Sequence, residues 1–377
     1  MRSLPVPWAT AMSADVAMLK QAIEALYAVG SSEQARNEAN AWLMRFAASP
    51  NAWEAARLLL DDSVAEVQYF GANLLFTKVR SEWHTLPDTM KASIYQGLRD
   101  LIARLIVPAE PGAYAGLSAA GKRLCLTLAA AATRSAALEA FTAEAFSIAA
   151  SAGGAPVAIE LLSALPQEIL EKNAGAGAGA GTTPAAGADA PDLHRQESRP
   201  ELRAALPQVL ALLVATIGQG GGARVGACLR CLHQWLSLGM GCSLLHILDT
   251  APALVTAAFT AIASPLAESD VAADAMCELL SPANTVLAPS SEKAVHGTRA
   301  LADQLSQLVN AMGIAQQIET GNDLDDAPFN ACRVLCAFAE VSCPLCPSDP
   351  LTLGPSDPWS PHTNRCVRAC VRSEPST

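Results

Sequence analysis

The chain has 377 residues, too many for one compact core and enough for about two or three domains, unless each unit buries only its neighbours. It is 51% apolar with only 5% aromatic residues, and its richness in Ala and Leu favours packed helices over sheet. With 25 Lys and Arg against 36 Asp and Glu the formal charge is −11, which argues against direct nucleic-acid binding and favours basic protein partners. The longest strongly apolar run, Val209–Ile217, falls far short of the about 20 residues a bilayer requires, so no membrane insertion is expected. The first residues lack a continuous apolar stretch, so no secretory signal is expected either. Cysteine numbers 11, an odd count, and Cys125, Cys228, Cys231, Cys277, Cys332 and Cys336 lie within helical patterns. They read as small buried hydrophobes of a reducing compartment, and a soluble intracellular protein is expected.

Ser13–Val29 opens the chain with Val16, Leu19, Ile23, Leu26 and Tyr27 at helical spacing. Ser31-Ser-Glu-Gln34 then has the spacing of a capping box and starts a second helix through Ala35, Ala39, Leu43 and Phe46, which Ser49-Pro50 ends. Residues 51–83 read as a helix pair on which most of the chain is patterned. The first half, Trp53 to Leu60, is apolar on one face. The second half opens on Ser63-Val-Ala-Glu66, again with capping-box spacing, and puts Val64, Val67, Gly71, Leu74, Leu75 and Val79 on one face. Gly71 costs such a helix about 1 kcal/mol relative to alanine, so a neighbouring backbone packed close to it is expected.

A turn at Leu86-Pro87-Asp88 leads to a helix reaching about Ile106, and Pro108 and Pro111 break it. Helices over Gly116–Thr133, Leu138–Ala150 and Ala155–Leu170 follow, giving an internal period of roughly 35 to 50 residues, in the range of HEAT and armadillo arrays. Asn173–Pro191 alternates Gly and Ala and is expected to be a flexible insert. No strand precedes its glycines and no Gly-Lys-Ser/Thr follows, so they are not a phosphate loop. The pattern resumes over Leu202–Ile217, Arg224–Leu238 (stopped at Gly239), Leu244–Ala263, Ser269–Leu280, Val295–Gln317 and Leu324–Val341. The expected fold is all-α, an α-α superhelix of HEAT/ARM-type pairs. Its expected divisions are 14–172, an insert at 173–192, further repeats over 193–341, and an irregular Pro/Cys tail from 342 to 377.

The order of segments resembles a known family. Ala22-Ile-Glu-Ala-Leu-Tyr27, Ala41-Trp-Leu43, Asn51-Ala-Trp-Glu54, Val67-Gln-Tyr-Phe70 with Ala72, and Leu86-Pro87 before Ala92-Ser93 occur in sequence. Leu161-Leu-Ser-Ala-Leu-Pro-Gln-Glu168, Cys228-Leu-Arg-Cys-Leu-His-Gln-Trp-Leu-Ser-Leu-Gly239, and Asp323-Leu-Asp325 with Cys332-Arg-Val334 complete the series. Together they resemble the amino-terminal part of the importin-β superfamily of nuclear transport receptors, in the transportin-SR and importin-13 branch. The Gly/Ala insert sits where the family has a charged connection, and residues 113–121 fit poorly. The tail after Ser342 matches nothing in the family, as in a truncated or misassembled gene model.

The resemblance implies an α-solenoid without an active site that binds the small GTPase Ran in its GTP form through the inner face of its first repeats. Protein cargo, typically SR splicing factors in this branch, is held largely by later repeats, so cargo import by this stretch alone is not expected. Nucleoporins are further implied partners, with shuttling between cytoplasm and nucleus. On the helix after Ser63 the residues off the apolar stripe are Glu66, Gln68, Tyr69, Asn73 and Lys78, and they are the expected Ran contacts. Each also fits an ordinary solvated face, Tyr69 a partly buried one. A HEAT scaffold unrelated to Ran is the rival reading.

Nothing in the sequence points to catalysis. The 6 histidines (His84, His194, His233, His246, His296, His362) lack a paired carboxylate or nucleophile motif, and no cofactor is expected. Cys343-x2-Cys346 and Cys366-x3-Cys370 offer four thiolates to a tetrahedral zinc ion, but the second pair is loosely spaced and prolines crowd the first, so no metal site is expected. Cys228-x2-Cys231 lies inside a helix and reads as core.

Overall fold

The structure, a computed structural model, describes residues 6–28, 30–106, 116–178, 199–239, 242, 244–264, 268–281, 300–313 (apart from 302, 306 and 309) and 326–342. Among the described residues there is no strand. The chain divides into two compact units, Met1–Glu110 with Ala115–Lys172, and Pro111–Tyr114 with Asn173–Thr377.

In the first unit α1 (Val6–Tyr27) packs on α2 (Glu33–Ala47), and α3 (Ala52–Leu60) on α4 (Ala65–Glu82). A 3-10 turn, Trp83–Thr85, leads into α5 (Asp88–Ala103), which pairs with α6 (Ala119–Arg134); α7 (Leu138–Ala149) and α8 (Ala155–Ala178) follow. Leu19, Ile23, Leu43, Ala55, Leu59 and Val67, contributed by α1 to α4, form one buried cluster, with Trp42, Phe46 and Phe70 against it. The amphipathic spacing read from the sequence thus becomes a core shared by successive pairs.

Two close approaches set the position of α4. A β-carbon at Gly71 would lie 2.9 Å from the Ala56 carbonyl oxygen and 2.9 Å from Leu59 Cβ, so α3 is the close backbone neighbour that glycine was expected to serve. Helix α4 also packs against α6, in which Ala129, Ala130, Ala131 and Ala132 are all buried. Val67, Leu74, Leu75 and Val79 are buried as expected, whereas Val64 is 47% exposed because it precedes the helix.

The capping chemistry differs from the expected boxes. Val64 is the N-cap of α4 and makes no side-chain cap bond; instead Asp62 Oδ1 accepts the Val64 N–H at 2.9 Å, and Gln68 Nε2 donates to the Asp62 carbonyl at 2.5 Å. Asp62, one residue before Ser63, offers a charged acceptor, and an ion pair with Lys20 of α1 holds it in place. Helix α2 is capped one residue late, by Ser32, whose hydroxyl accepts from Ala35 N at 3.1 Å, so Glu33 and Gln34 are not in the register of a reciprocal box.

Helix α8 runs through Ala178, so Asn173–Ala178, expected in the flexible insert, are helical; residues 179–198 lie outside the described residues. Its Glu168 is fully buried and pairs with Arg134 of α6 at 3.2 Å, while its second carboxylate oxygen has no hydrogen-bond partner. Burial holds the Glu168 carboxyl above the usual carboxylate range, against the opposing pull of Arg80 and Arg134.

The second unit contains α9 (Arg199–Ile217), α10 (Gly222–Leu236), α11 (Leu244–Thr250), α12 (Pro252–Ile262), α13 (Glu268–Leu279) and α14 (Asp326–Ser342). The helix expected over Leu244–Ala263 is two helices broken at Ala251 (φ −143), because Pro252 supplies no N–H and turns its predecessor away from the helical region. Helix α10 stops at Leu236, and Gly239 takes the left-handed conformation at φ +61. Within α9, Pro200–Ile217 has the length and composition of a membrane-crossing helix, and its Leu202, Val209, Leu210 and Leu213 are buried. Helices α10 and α14 both pack on α13, where buried Asn330 donates to Ser269 Oγ and Asp270 Oδ1, and Arg333 pairs with Asp274 at 2.6 Å. Of the helix expected over Val295–Gln317, Leu301, Leu305 and Leu308 are buried at helical spacing. Each unit is an all-α helical-repeat array.

Two glycines make a paired test of the packing. Gly71→Ala is expected to destabilise the protein by about 1–2 kcal/mol through overpacking, whereas Gly97→Ala, whose added carbon meets nothing within 4 Å, should stabilise it by roughly 0.5–1 kcal/mol. Urea unfolding of the full chain measures both, and equal effects would refute the close approach of α3 to α4. Because the folded carboxyl of Glu168 binds its proton more tightly than the unfolded one, its contribution is intact at acidic pH and is lost as pH rises through the elevated range. Melting of wild type and Glu168→Gln across pH should therefore show wild type losing stability relative to the variant as pH increases.

Candidate functional site

At 100° per residue, Glu66, Tyr69, Asn73, Thr77 and Arg80 fall on one side of α4, away from the stripe led by Val67, Gly71 and Leu74. Glu66 and Thr77 are exposed, and Tyr69, Asn73 and Arg80 are half-buried. Gln68 and Lys78 lie off this side. Gln68 turns to the chain entering the helix, where it holds the Asp62 carbonyl.

Lys78 was expected on the open face and is instead buried, with 1% of its surface exposed. Its ammonium donates to Glu82 Oε1 at 2.5 Å and to the Ser49 carbonyl at 3.0 Å, and lies 5.9 Å from the centre of the Trp53 ring. Trp53 Nε1 in turn donates to Glu82 Oε2 at 3.2 Å. Lys78 therefore joins α4 to α3 and to the end of α2, and it is not available to a partner. Position 78 follows Leu74 by one turn and precedes Val79, so the helical period places it inward; its charge alone suggested the surface.

Helix α6 adds a residue that the sequence reading passed over. Arg123 Nη2 donates to the Tyr69 hydroxyl at 3.1 Å, and the guanidinium carbon lies 5.8 Å from the Tyr69 ring centre and 4.8 Å from that of Phe76. Arg80 covers the same Phe76 ring at 5.2 Å and pairs with Glu171 of α8 at 2.7 Å, a carboxylate that Gln167 also holds. Tyr69, Arg123, Phe76, Arg80 and Glu171 thus run across α4, α6 and α8 as one connected polar and aromatic strip. The sequence shows Lys122-Arg123 as the one charged pair in a helix rich in Ala, Leu and small residues, but no local pattern says which face of the helix meets Tyr69.

A groove of about 510 Å³ lies elsewhere on this unit, between α3 and α5. Trp53, Leu75, Ile94 and Leu98 line it, the ion pairs Arg57–Glu54 and Arg104–Asp61 stand at its edge, and Gly97 adds no side chain to fill it.

Among the described residues no three His, Cys, Asp or Glu side chains gather to hold a metal ion. Cys343, Cys346, Cys366 and Cys370 lie outside the described residues, as do His194, His296 and His362. Burial pushes the Cys228 thiol up to about 12, the Cys332 thiol to about 11, and Cys125 well above its ordinary value, so all three are protonated and poorly nucleophilic at neutral pH.

No family model matches the chain. Against curated proteins it is 36% identical over 92 residues to importin-13 of Bos taurus and 35% identical over 92 residues to importin-13 of Homo sapiens. Each match covers 23% of this chain and 9% of the relative. It is also 37% identical over 57 residues to importin-13 homolog A of Dictyostelium discoideum, covering 15% of this chain and 5% of that protein. The chain therefore spans about a tenth of the length of the curated relatives it matches. The chain thus combines an all-α helical-repeat fold with partial similarity to importin-13 of two mammals and to its homolog in Dictyostelium.

Proposed function

We propose that the chain is part of a nuclear import receptor of the transportin-SR type. It binds Ran in the GTP form through the open side of α4, and the protein it belongs to carries cargo such as SR splicing factors past nucleoporins while shuttling between cytoplasm and nucleus. The partial importin-13 similarity is the observation that carries this reading.

Glu66, Tyr69 and Asn73 form the proposed contact set, and Gln68, held at the Asp62 carbonyl, lies off it. Tyr69 is the strongest candidate. A ring half-buried and fixed by a neighbour loses little freedom on binding, and such aromatic residues dominate interface energetics. Lys78 leaves the set, because the GTPase cannot reach a buried ammonium.

Capture of the full chain on Ran loaded with a non-hydrolysable GTP analogue, compared with Ran–GDP, tests the proposal. Selective binding to the GTP form is expected, with Tyr69→Ala weakening it by about tenfold, as removal of a central aromatic contact does. Equal binding to both forms, or to neither, would leave a helical-repeat scaffold unrelated to Ran as the better description.

A further inference from the structure

The strip across α4, α6 and α8 is not evenly neutralised. Arg80 is committed to Glu171, and Arg134 to Glu168. Arg123, half-buried between them in sequence and adjoining the proposed contact set, has no carboxylate partner among the described residues. Its contacts are the Tyr69 hydroxyl and the faces of Tyr69 and Phe76. A guanidinium carries five N–H donors in a rigid fork, and the Tyr69 bond uses only one of them. The Tyr69 bond and the two ring contacts restrain the side chain, so part of the freedom an arginine loses on forming a two-point bond is already gone. The result is a cation that is oriented, only partly hydrated, and unneutralised, on a chain of net charge −11 whose surface otherwise repels acidic groups.

We propose that Arg123 is the anchoring cation of this face and receives a carboxylate of the bound GTPase. The inference rests on the reading of the face as a Ran-binding surface. It supplies the face with a cation from the next helix pair, where Lys78, an expected contact, is buried. It also makes the partner straddle α4 and α6, since the aromatic contact comes from one helix and the cation from the other.

The test uses the full chain and Ran loaded with a non-hydrolysable GTP analogue, across a range of ionic strength. Arg123→Ala and Arg123→Gln should each lower affinity by about tenfold and flatten its dependence on salt, because the screened charge pair is gone. Arg123→Lys should bind between these and wild type, since it keeps the charge and loses the fork. Tyr69→Phe, which removes only the orienting hydroxyl, should cost roughly two- to threefold with the salt dependence unchanged. Melting of each variant identifies any loss that comes from unfolding, and Arg123→Gln, which retains most of the packing bulk, carries the test if Arg123→Ala does not fold. Wild-type affinity and salt dependence in a folded Arg123→Gln protein would overturn the anchor and leave the Ran reading standing. Failure of the wild-type chain to prefer the GTP form would remove that reading, and the anchor with it.

Discussion

The close approach of α4 to its two neighbours is the constraint on which the first unit depends. A glycine lets the α3 backbone come within contact distance of α4, and α4 packs as well against α6, a helix rich in buried alanines. Side chains this small contribute little apolar area each. Their value is that they let helix backbones approach, while larger residues such as Leu74, Leu75, Val79 and Leu128 are buried elsewhere along the same helices. Because α4 belongs to both contacts, it fixes the spacing within its own pair and the spacing to the next. The position of Tyr69 opposite Arg123 is a product of that double constraint, since the two residues sit 54 positions apart in the chain.

Polar groups inside this packing are handled in two ways. Lys78 is surrounded by acceptors: a carboxylate, a carbonyl and a ring face all meet its ammonium, so its burial leaves little of its charge unanswered. Glu168 is served less completely, with one oxygen toward Arg134 and the other without a partner. The difference shows in protonation: desolvation outweighs the two arginines at Glu168, and its carboxyl holds its proton more tightly than an exposed one. Asn330 in the second unit is of the first kind, with its amide bonded to Ser269 and Asp270 and its carbonyl oxygen accepting from Arg333.

Periodicity made the helices legible in the sequence, including the buried stripe of α4 and the close neighbour at Gly71. Boundaries that depend on a single competing hydrogen bond were not. Ser63 and Asp62 are both good acceptors, and only the geometry of the turn, with Lys20 reaching over from α1, selects the aspartate. The break at Ala251 was present in the sequence as Pro252, masked by an unbroken apolar pattern on either side. For the candidate site, the offset of Glu66, Tyr69 and Asn73 from the stripe was legible, and they do lie off the buried face, whereas Lys78 was misplaced by giving its charge more weight than its phase. Arg123 was out of reach of such reasoning, because its role arises from contact between two helix pairs and no local pattern encodes which face of α6 meets Tyr69.

The buried sulfurs of Cys125, Cys228 and Cys332 have a consequence for how the protein ages. Their thiols are shielded by packed helices and kept protonated by the same lack of solvent, so neither oxidants nor electrophiles meet a thiolate while the helices remain together. Damage at these positions must wait for neighbouring helices to part. Its pace is then governed by how often a repeat opens, and the oxidation state of each sulfur becomes a record of the local breathing of the array.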